Sequence, residues 1–188
     1  MAFPPLIFKR RRLKLLDQRL LPRQEKWLEC ESAEEVVKAI REMVIRGAPA
    51  IGIAGAYGVY LGIRDFKGSR QNFDKVFREK AQLVRDARPT AVNLPWAVER
   101  IQRKVAAQKN SSVAALKTLI LEEAEKIQKE DEALCRLIGR HGSKLFKERQ
   151  KTWFRVKFFM FGSGGDFNVQ DVIAEARFLV TSINDGRQ

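Results

Sequence analysis

The chain has 188 residues, 45% hydrophobic and 31% charged, which suits one core-forming domain or one domain plus a piece of another. Its formal net charge of +13 gathers near the ends: in the first 23 residues, Lys9, Arg10, Arg11, Arg12, Lys14, Arg19 and Arg23 stand against Asp17 alone. Lys144, Lys147, Arg149, Lys151, Arg155 and Lys157 form a second cluster with only Glu148 inside it. No nucleic-acid signature accompanies these clusters and no stretch is long enough to span a bilayer, so solvated basic ends are expected, with neither nucleic acid nor membrane as a partner. The two cysteines, Cys30 and Cys135, form no CxxC or Cys/His pattern, so neither a disulfide framework nor a zinc site is indicated and a reduced cytoplasm fits best.

Residues 12–30 read as a β-hairpin or meander, RLKLLDQRLLP and then EKWLECE, parted by Pro22, Arg23 and Gln24. Ser32 and Glu35 form a capping box, and Val36, Val37, Ile40, Val44 and Ile45 recur on one face. That pattern predicts a helix delivering the chain directly to Arg46. The next stretch, IRGAPAIGIAGAYGVYLG from Ile45 to Gly62, predicts a buried helix beginning near Ala48, with Pro49 in its first turn. Glycine costs about 1 kcal/mol against alanine inside a helix. Gly58 and Gly62, with Ala54 a turn earlier, therefore imply close approach of a neighbouring helix.

Arg46, Gly47 and Ala48 stand at the mouth of this helix. Unpaired backbone N–H groups, the positive end of the helix dipole, a residue without a side chain and a guanidinium together make a cradle suited to phosphate. An arginine joining two helices and paired with a carboxylate is the competing structural reading of Arg46.

Lys67 to Gln71 reads as a loop, and Phe73, Val76, Phe77, Ala81 and Val84 predict an amphipathic helix ending near Ala87. Arg88 precedes Pro89, so it is presented from a turn or an extended segment. Asn93 is expected as the N-cap of a helix with Pro95 in its first turn and Trp96, Val98, Ile101 and Val105 facing inward. Asn110, Ser111 and Ser112 break the chain again and cap a long helix from about Val113 to Phe146, with Gly139 and Gly142 as bending points. Its apolar face is expected to carry Leu116, Leu119, Ile120, Ile127, Leu134 and Ile138. The fold class is mainly α, a small N-terminal β-hairpin or three-stranded sheet followed by a helical domain.

Four ordered stretches, LKLLDQRLLP from Leu13, RGAPAIGIAGAYG from Arg46, RPTAVNLPWAVERI from Arg88 and EDEALCRLIGRHG from Glu130, resemble the N-terminal half of methylthioribose-1-phosphate isomerase over about residues 12–147. More distantly the chain is similar to ribose-1,5-bisphosphate isomerase and to the regulatory subunits of the translation initiation factor 2 guanine-nucleotide exchange factor. The resemblance implies an aldose–ketose isomerase of methionine salvage, converting 5-methylthioribose 1-phosphate into 5-methylthioribulose 1-phosphate without a cofactor. It assigns substrate contacts to Arg46, Gly47, Ala48 and Arg88, with a sugar phosphate as ligand and a homodimer as the full-length assembly. The alternative it leaves open is a non-catalytic regulatory subunit acting through protein contacts. A guanidinium that grips phosphate through two parallel hydrogen bonds fits the first reading.

The resemblance places catalysis on a cysteine in a Thr-His-Cys-Asn segment and on a later aspartate, both in a Rossmann-like C-terminal domain. Neither motif occurs in this sequence, so that domain is expected to be absent or incomplete, with no catalytic residue and no metal ligand assigned. Cys30 closes the hairpin, Cys135 sits in the apolar run EALCRLIG, and His141 fits a structural place at a helix end. Residues 1–147 are expected as the family's helical N-terminal domain. Residues 148–188 depart from its pattern and read as a truncated or frame-shifted tail, whose GSGG is a turn rather than a phosphate loop and whose Asp171 to Val180 is a short helix.

Overall fold

The structure, a computed structural model, describes residues 4–143. The expected tail over 148–188, with its GSGG turn and short helix, lies outside the described residues. Contacts divide the chain into a larger unit, Pro5–Gln128, and a smaller one containing Met1–Pro4 and everything from Lys129 onward. The larger unit begins with three strands, β1 (Leu6–Lys9), β2 (Arg12–Leu16) and β3 (Trp27–Cys30), in an antiparallel sheet of order β1-β2-β3. Five helices follow: α1 (Ala33–Arg41), α2 (Ala48–Ile63), α3 (Arg70–Arg85), α4 (Asn93–Ala106) and α5 (Val113–Ser143). A mainly helical fold behind a small sheet is what the sequence implies. Strand β1 is the element that the sequence pattern did not signal.

The sheet is ordered by its central strand. Leu13 and Leu15 of β2 are fully buried, while Lys14, pointing the other way, stands opposite Glu29 and pairs with it at 2.6 Å. The β1–β2 turn carries Arg10 and Arg11 at φ 52° and 62°. Two consecutive left-handed residues match the right-handed twist of a hairpin, and they are usually asparagine or glycine, so this turn gives no composition signal.

Helix α1 has the expected capping box: Glu35 N–H donates to Ser32 Oγ at 3.2 Å, and the Glu35 carboxylate accepts from the Ser32 N–H at 3.3 Å. The helix does not run on to Arg46. It ends at Arg41, Met43 turns left-handed at φ 59°, and the N–H groups of Met43 and Val44 close back on the carbonyls of Ile40 and Ala39. Val44 and Ile45 are buried from the connection, not from the helix face.

Helix α2 is the hub, and its glycines mark where other chains touch it. A Cβ on Gly52 would lie 2.9 Å from the Asn93 carbonyl of α4, and one on Gly55 would overlap Leu94. Gly58 meets Val36 of α1, and Gly62 meets Ala33 and Lys80. Tyr57, on the same helix, stacks on Phe8 of β1 at 4.6 Å and donates its hydroxyl to Gln128 Oε1 at 2.7 Å. The glycine costs in helix propensity are thus offset by contact with α1, α3 and α4.

Helix α3 buries Phe73, Phe77, Ala81 and Val84 as expected. In α4, Asn93 is the first helical residue and makes no side-chain cap, because Val92 before it is already helical at φ −49°, ψ −38°. Winding starts upstream, where Ala91 N–H donates to Arg88 O and Leu94 N–H to Ala91 O. That phase buries Leu94, Ala97, Val98, Ile101 and Val105 and turns Trp96 outward, 46% exposed, with the Arg100 guanidinium 5.4 Å from its ring centroid. In α5, Ser112 Oγ caps the Ala115 N–H, and Leu116, Ile120, Ala124 and Ile127 form the buried stripe. Further along, Cys135 is buried and Leu134 faces solvent, one residue out of the expected phase.

Candidate functional site

The mouth of α2 is built by a backbone that only glycine adopts comfortably. Gly47 is the N-cap at φ 96°, ψ 129°, with open space where a Cβ would be. A glycine cap brings no side-chain oxygen, Pro49 has no N–H to offer, and the first intrahelical bond runs from Ile51 N–H to Gly47 O at 3.0 Å. The N–H groups of Gly47, Ala48 and Ala50 therefore have no hydrogen-bond partner among the described residues. Four orphan donors are the rule at a helix start, and they are normally capped by the preceding side chain. Here they face outward uncapped.

Arg46 is exposed beside them. It donates Nε to the Met43 carbonyl at 3.4 Å and pairs with no carboxylate among the described residues, unlike the helix-connecting ion pair that the structural reading required. Arg88 is half-buried in the turn before α4, and its side chain has no ion-pair or hydrogen-bond partner among the described residues. Other arginines do take carboxylates: Arg19 with Asp17, Arg64 with Asp65, Arg70 with Asp74, Arg85 with Glu99 and Arg100 with the buried Glu123. The approach of Gly52 to the Asn93 carbonyl brings the start of α4, and with it the segment following Arg88, against the second turn of α2. A guanidinium beside uncapped N–H donors, as Arg46 is, has the chemistry that holds an anion by charge-assisted hydrogen bonds.

The remaining reactive side chains are placed elsewhere. Cys30 is fully buried opposite Leu13, and burial, with Glu35 adding a smaller push, raises its thiol to about 12, so it is not a nucleophile at neutral pH. Cys135 is buried and His141 exposed in the last turn of α5. No group of three or more potential metal ligands occurs among the described residues, and no described helix is long and apolar enough to cross a membrane.

The basic N-terminal cluster faces more acid than sequence order suggests. Arg11 pairs with Asp65 at 2.7 Å, Arg12 with Glu29 and Glu31, and Lys14 with Glu29. Lys14 and Arg12 hold the Glu29 carboxyl below its usual range, and Arg64 with Arg11 does the same for Asp65. These acids lie 15 or more residues away in the chain, out of reach of a local charge count.

A glycine-threaded helix with an uncapped mouth, packed among α1, α3 and α4 behind a small sheet, defines the class of helical domain. Comparison with known proteins places it further. The Initiation factor 2 subunit family matches over residues 44–152, and the chain belongs to that family. The methylthioribose-1-phosphate isomerase of Syntrophotalea carbinolica is 37% identical over 177 residues, 94% of this chain and 52% of that protein. The 5-deoxyribose 1-phosphate isomerase of Moorella thermoacetica is 43% identical over 148 residues, 78% of this chain and 42% of that one.

Among solved structures, the 5-methylthioribose 1-phosphate isomerase of Pyrococcus horikoshii superposes with a TM-score of 0.76 at 34% identity, covering 79% of this chain and 42% of its own. Subunit delta of the translation initiation factor eIF-2B from A. fulgidus superposes with a TM-score of 0.71 at 35% identity, covering 79% and 43%. The chain thus spans about half the length of the curated relatives it matches.

Proposed function

We propose that this chain carries the phosphate grip of an aldose–ketose isomerase acting on a 5-substituted ribose 1-phosphate, such as 5-methylthioribose 1-phosphate in methionine salvage or its 5-deoxyribose counterpart. The observation that supports this most directly is the uncapped mouth of α2, where Gly47, Ala48 and Ala50 present free N–H groups beside the unpaired Arg46. Relatives named for both sugars are similar to the chain, so the grip is the shared feature and the 5-substituent is left to other residues.

The phosphate is present in substrate and product alike. Groups that hold it anchor the sugar throughout ring opening and hydrogen transfer, and they supply binding energy without breaking a bond. Arg46 and Arg88 neutralise the dianion, and the N–H groups of Gly47 and Ala48 fix its orientation. The acid–base groups for the isomerisation are not among these residues, and the thiol of Cys30, at about 12 and fully buried, does not serve. Since the sequence also lacks the Thr-His-Cys-Asn segment, the chain as given is expected to bind the sugar phosphate without turning it over.

The test is a titration of the 188-residue chain with each sugar phosphate, following backbone amide resonances and assaying ketose formation in parallel. Saturable shifts centred on Gly47, Ala48 and the Arg88 turn, with no ketose formed, are expected. Silence at those amides would remove the grip and leave the regulatory-subunit reading, to which the likeness to eIF-2B subunit delta lends weight. Turnover would show that the chain contains its own acid–base groups.

A further inference from the structure

The phosphate grip depends on where the α1–α2 connection is held, and one side chain outside the grip reaches that connection. Arg19 lies in the segment after β2. Its Nε and Nη2 donate to the two carboxylate oxygens of Asp17 at 2.8 and 2.7 Å, and Asp17 also accepts from the Arg19 N–H at 3.1 Å. From the same guanidinium, Nη1 reaches Glu42 twice, at the main-chain carbonyl (3.5 Å) and at the carboxylate (3.4 Å). A second strut runs alongside: Gln18 N–H donates to Val44 O at 2.9 Å.

Glu42 caps α1, Met43 follows in the left-handed region at φ 59°, and the Met43 carbonyl accepts from Arg46 Nε. The side chain of the phosphate-gripping arginine is thus two hydrogen-bonded steps from Arg19. A bulky residue at positive φ persists only when its surroundings over-determine it. Arg19 supplies part of that determination, tied at its own end to an aspartate whose side chain is only 9% exposed.

We propose that Arg19 is a positioning residue for the phosphate grip: braced on Asp17, it holds Glu42 and Met43 so that the Met43 carbonyl aims Arg46 beside the free N–H groups of α2. The bridge is bidentate on one side and divided between a carbonyl and a carboxylate on the other, a geometry that guanidinium provides and ammonium does not. Other charges on that face are Lys38, 3.9 Å from Glu42, and Lys26 near Asp17. Neither spans the two acids.

This inference rests on the phosphate-grip reading, and its test separates the two. Inorganic phosphate is titrated into the full chain and into Arg19→Gln, Arg19→Lys and Glu42→Gln, following the Gly47 and Ala48 amides, with hydrogen exchange measured across residues 43–47. Arg19→Gln is expected to bind phosphate about fivefold more weakly and to exchange faster at those amides, while Phe73 and Ile101 amides stay protected. Arg19→Lys should restore part of the affinity, and Glu42→Gln, which keeps an acceptor and the carbonyl contact, most of it.

Unchanged affinity and unchanged exchange in Arg19→Gln would overturn the proposal, as would a loss of protection spread evenly over α3 and α4. If the parent chain binds no phosphate, the grip reading fails, and exchange at residues 43–47 alone decides whether Arg19 holds the connection.

Discussion

The two ends of α2 are opposites. At its start the cap is a glycine with no side chain, and among the described residues three N–H groups have no partner and the adjoining Arg46 takes no carboxylate. Just past its end the chain is tied down: Lys117 Nζ donates to the carbonyls of Arg64, at 3.0 Å, and Phe66, Arg64 pairs with Asp65 and bonds the Arg11 carbonyl, and Arg11 pairs with Asp65 in turn. A cation at a helix C-terminus satisfies both the orphan carbonyls and the dipole. The same fold therefore seals one terminus with its own side chains and leaves the other unsatisfied. Uncapped donors beside a cation are groups that a bound anion would satisfy, and on the proposed reading they distinguish the open end of the helix from the sealed one.

The largest expected effect breaks the open end. Arg46→Ala should weaken sugar-phosphate binding roughly 20-fold, about the worth of one charge-assisted pair, with helix content by circular dichroism unchanged because Arg46 lies outside α2. Affinity equal to that of the parent would reduce the motif to packing. Next comes the helix interior. Gly52→Ala should lower stability by about 1–2 kcal/mol in urea unfolding, since its Cβ would press to 2.9 Å on the Asn93 backbone and overpacking exceeds the gain in helix propensity. Gly139→Ala, with nothing within 4 Å, should instead stabilise by up to about 1 kcal/mol. Equal effects at the two glycines would contradict the contact role assigned to α2.

How much of this was legible in the sequence follows from the range over which each signal acts. The capping box at Ser32 and Glu35, the start of α2 at Ala48 and the buried stripe of α3 are set by neighbours within a turn or two, and they stand where the pattern put them. The departures come where a longer-range contact decides. Trp96 faces solvent over Arg100 because the winding of α4 begins at the Arg88 turn, and α1 stops early because Met43 accepts a left-handed conformation that its residue type does not advertise. The Arg10–Arg11 hairpin was hidden by the same absence of glycine or asparagine. Arg46, Gly47, Ala48 and Arg88 were visible as chemistry. That the two arginines take no ion pair among the described residues, and that Arg19 braces the connection from a different segment, depends on contacts no local window contains.

The closed end supplies the finest separation of fold from site. Lys117 is half-buried, and its ammonium holds the carbonyls of the C-cap residue Arg64 and of Phe66 just beyond α2, so Lys117→Met keeps the apolar stem and removes only the donor. Two carbonyls then lose a charged partner at a place where water reaches only in part, a loss of about 1 kcal/mol that lowers the melting temperature by about 3 °C. The phosphate titration should be unmoved, because the mouth of α2 lies fifteen residues of rigid helix away from the altered cap. A fall in phosphate affinity matching that of Arg46→Ala would mean that the cap at Lys117 sets the register of the whole helix, and that the open mouth owes its geometry to the sealed end.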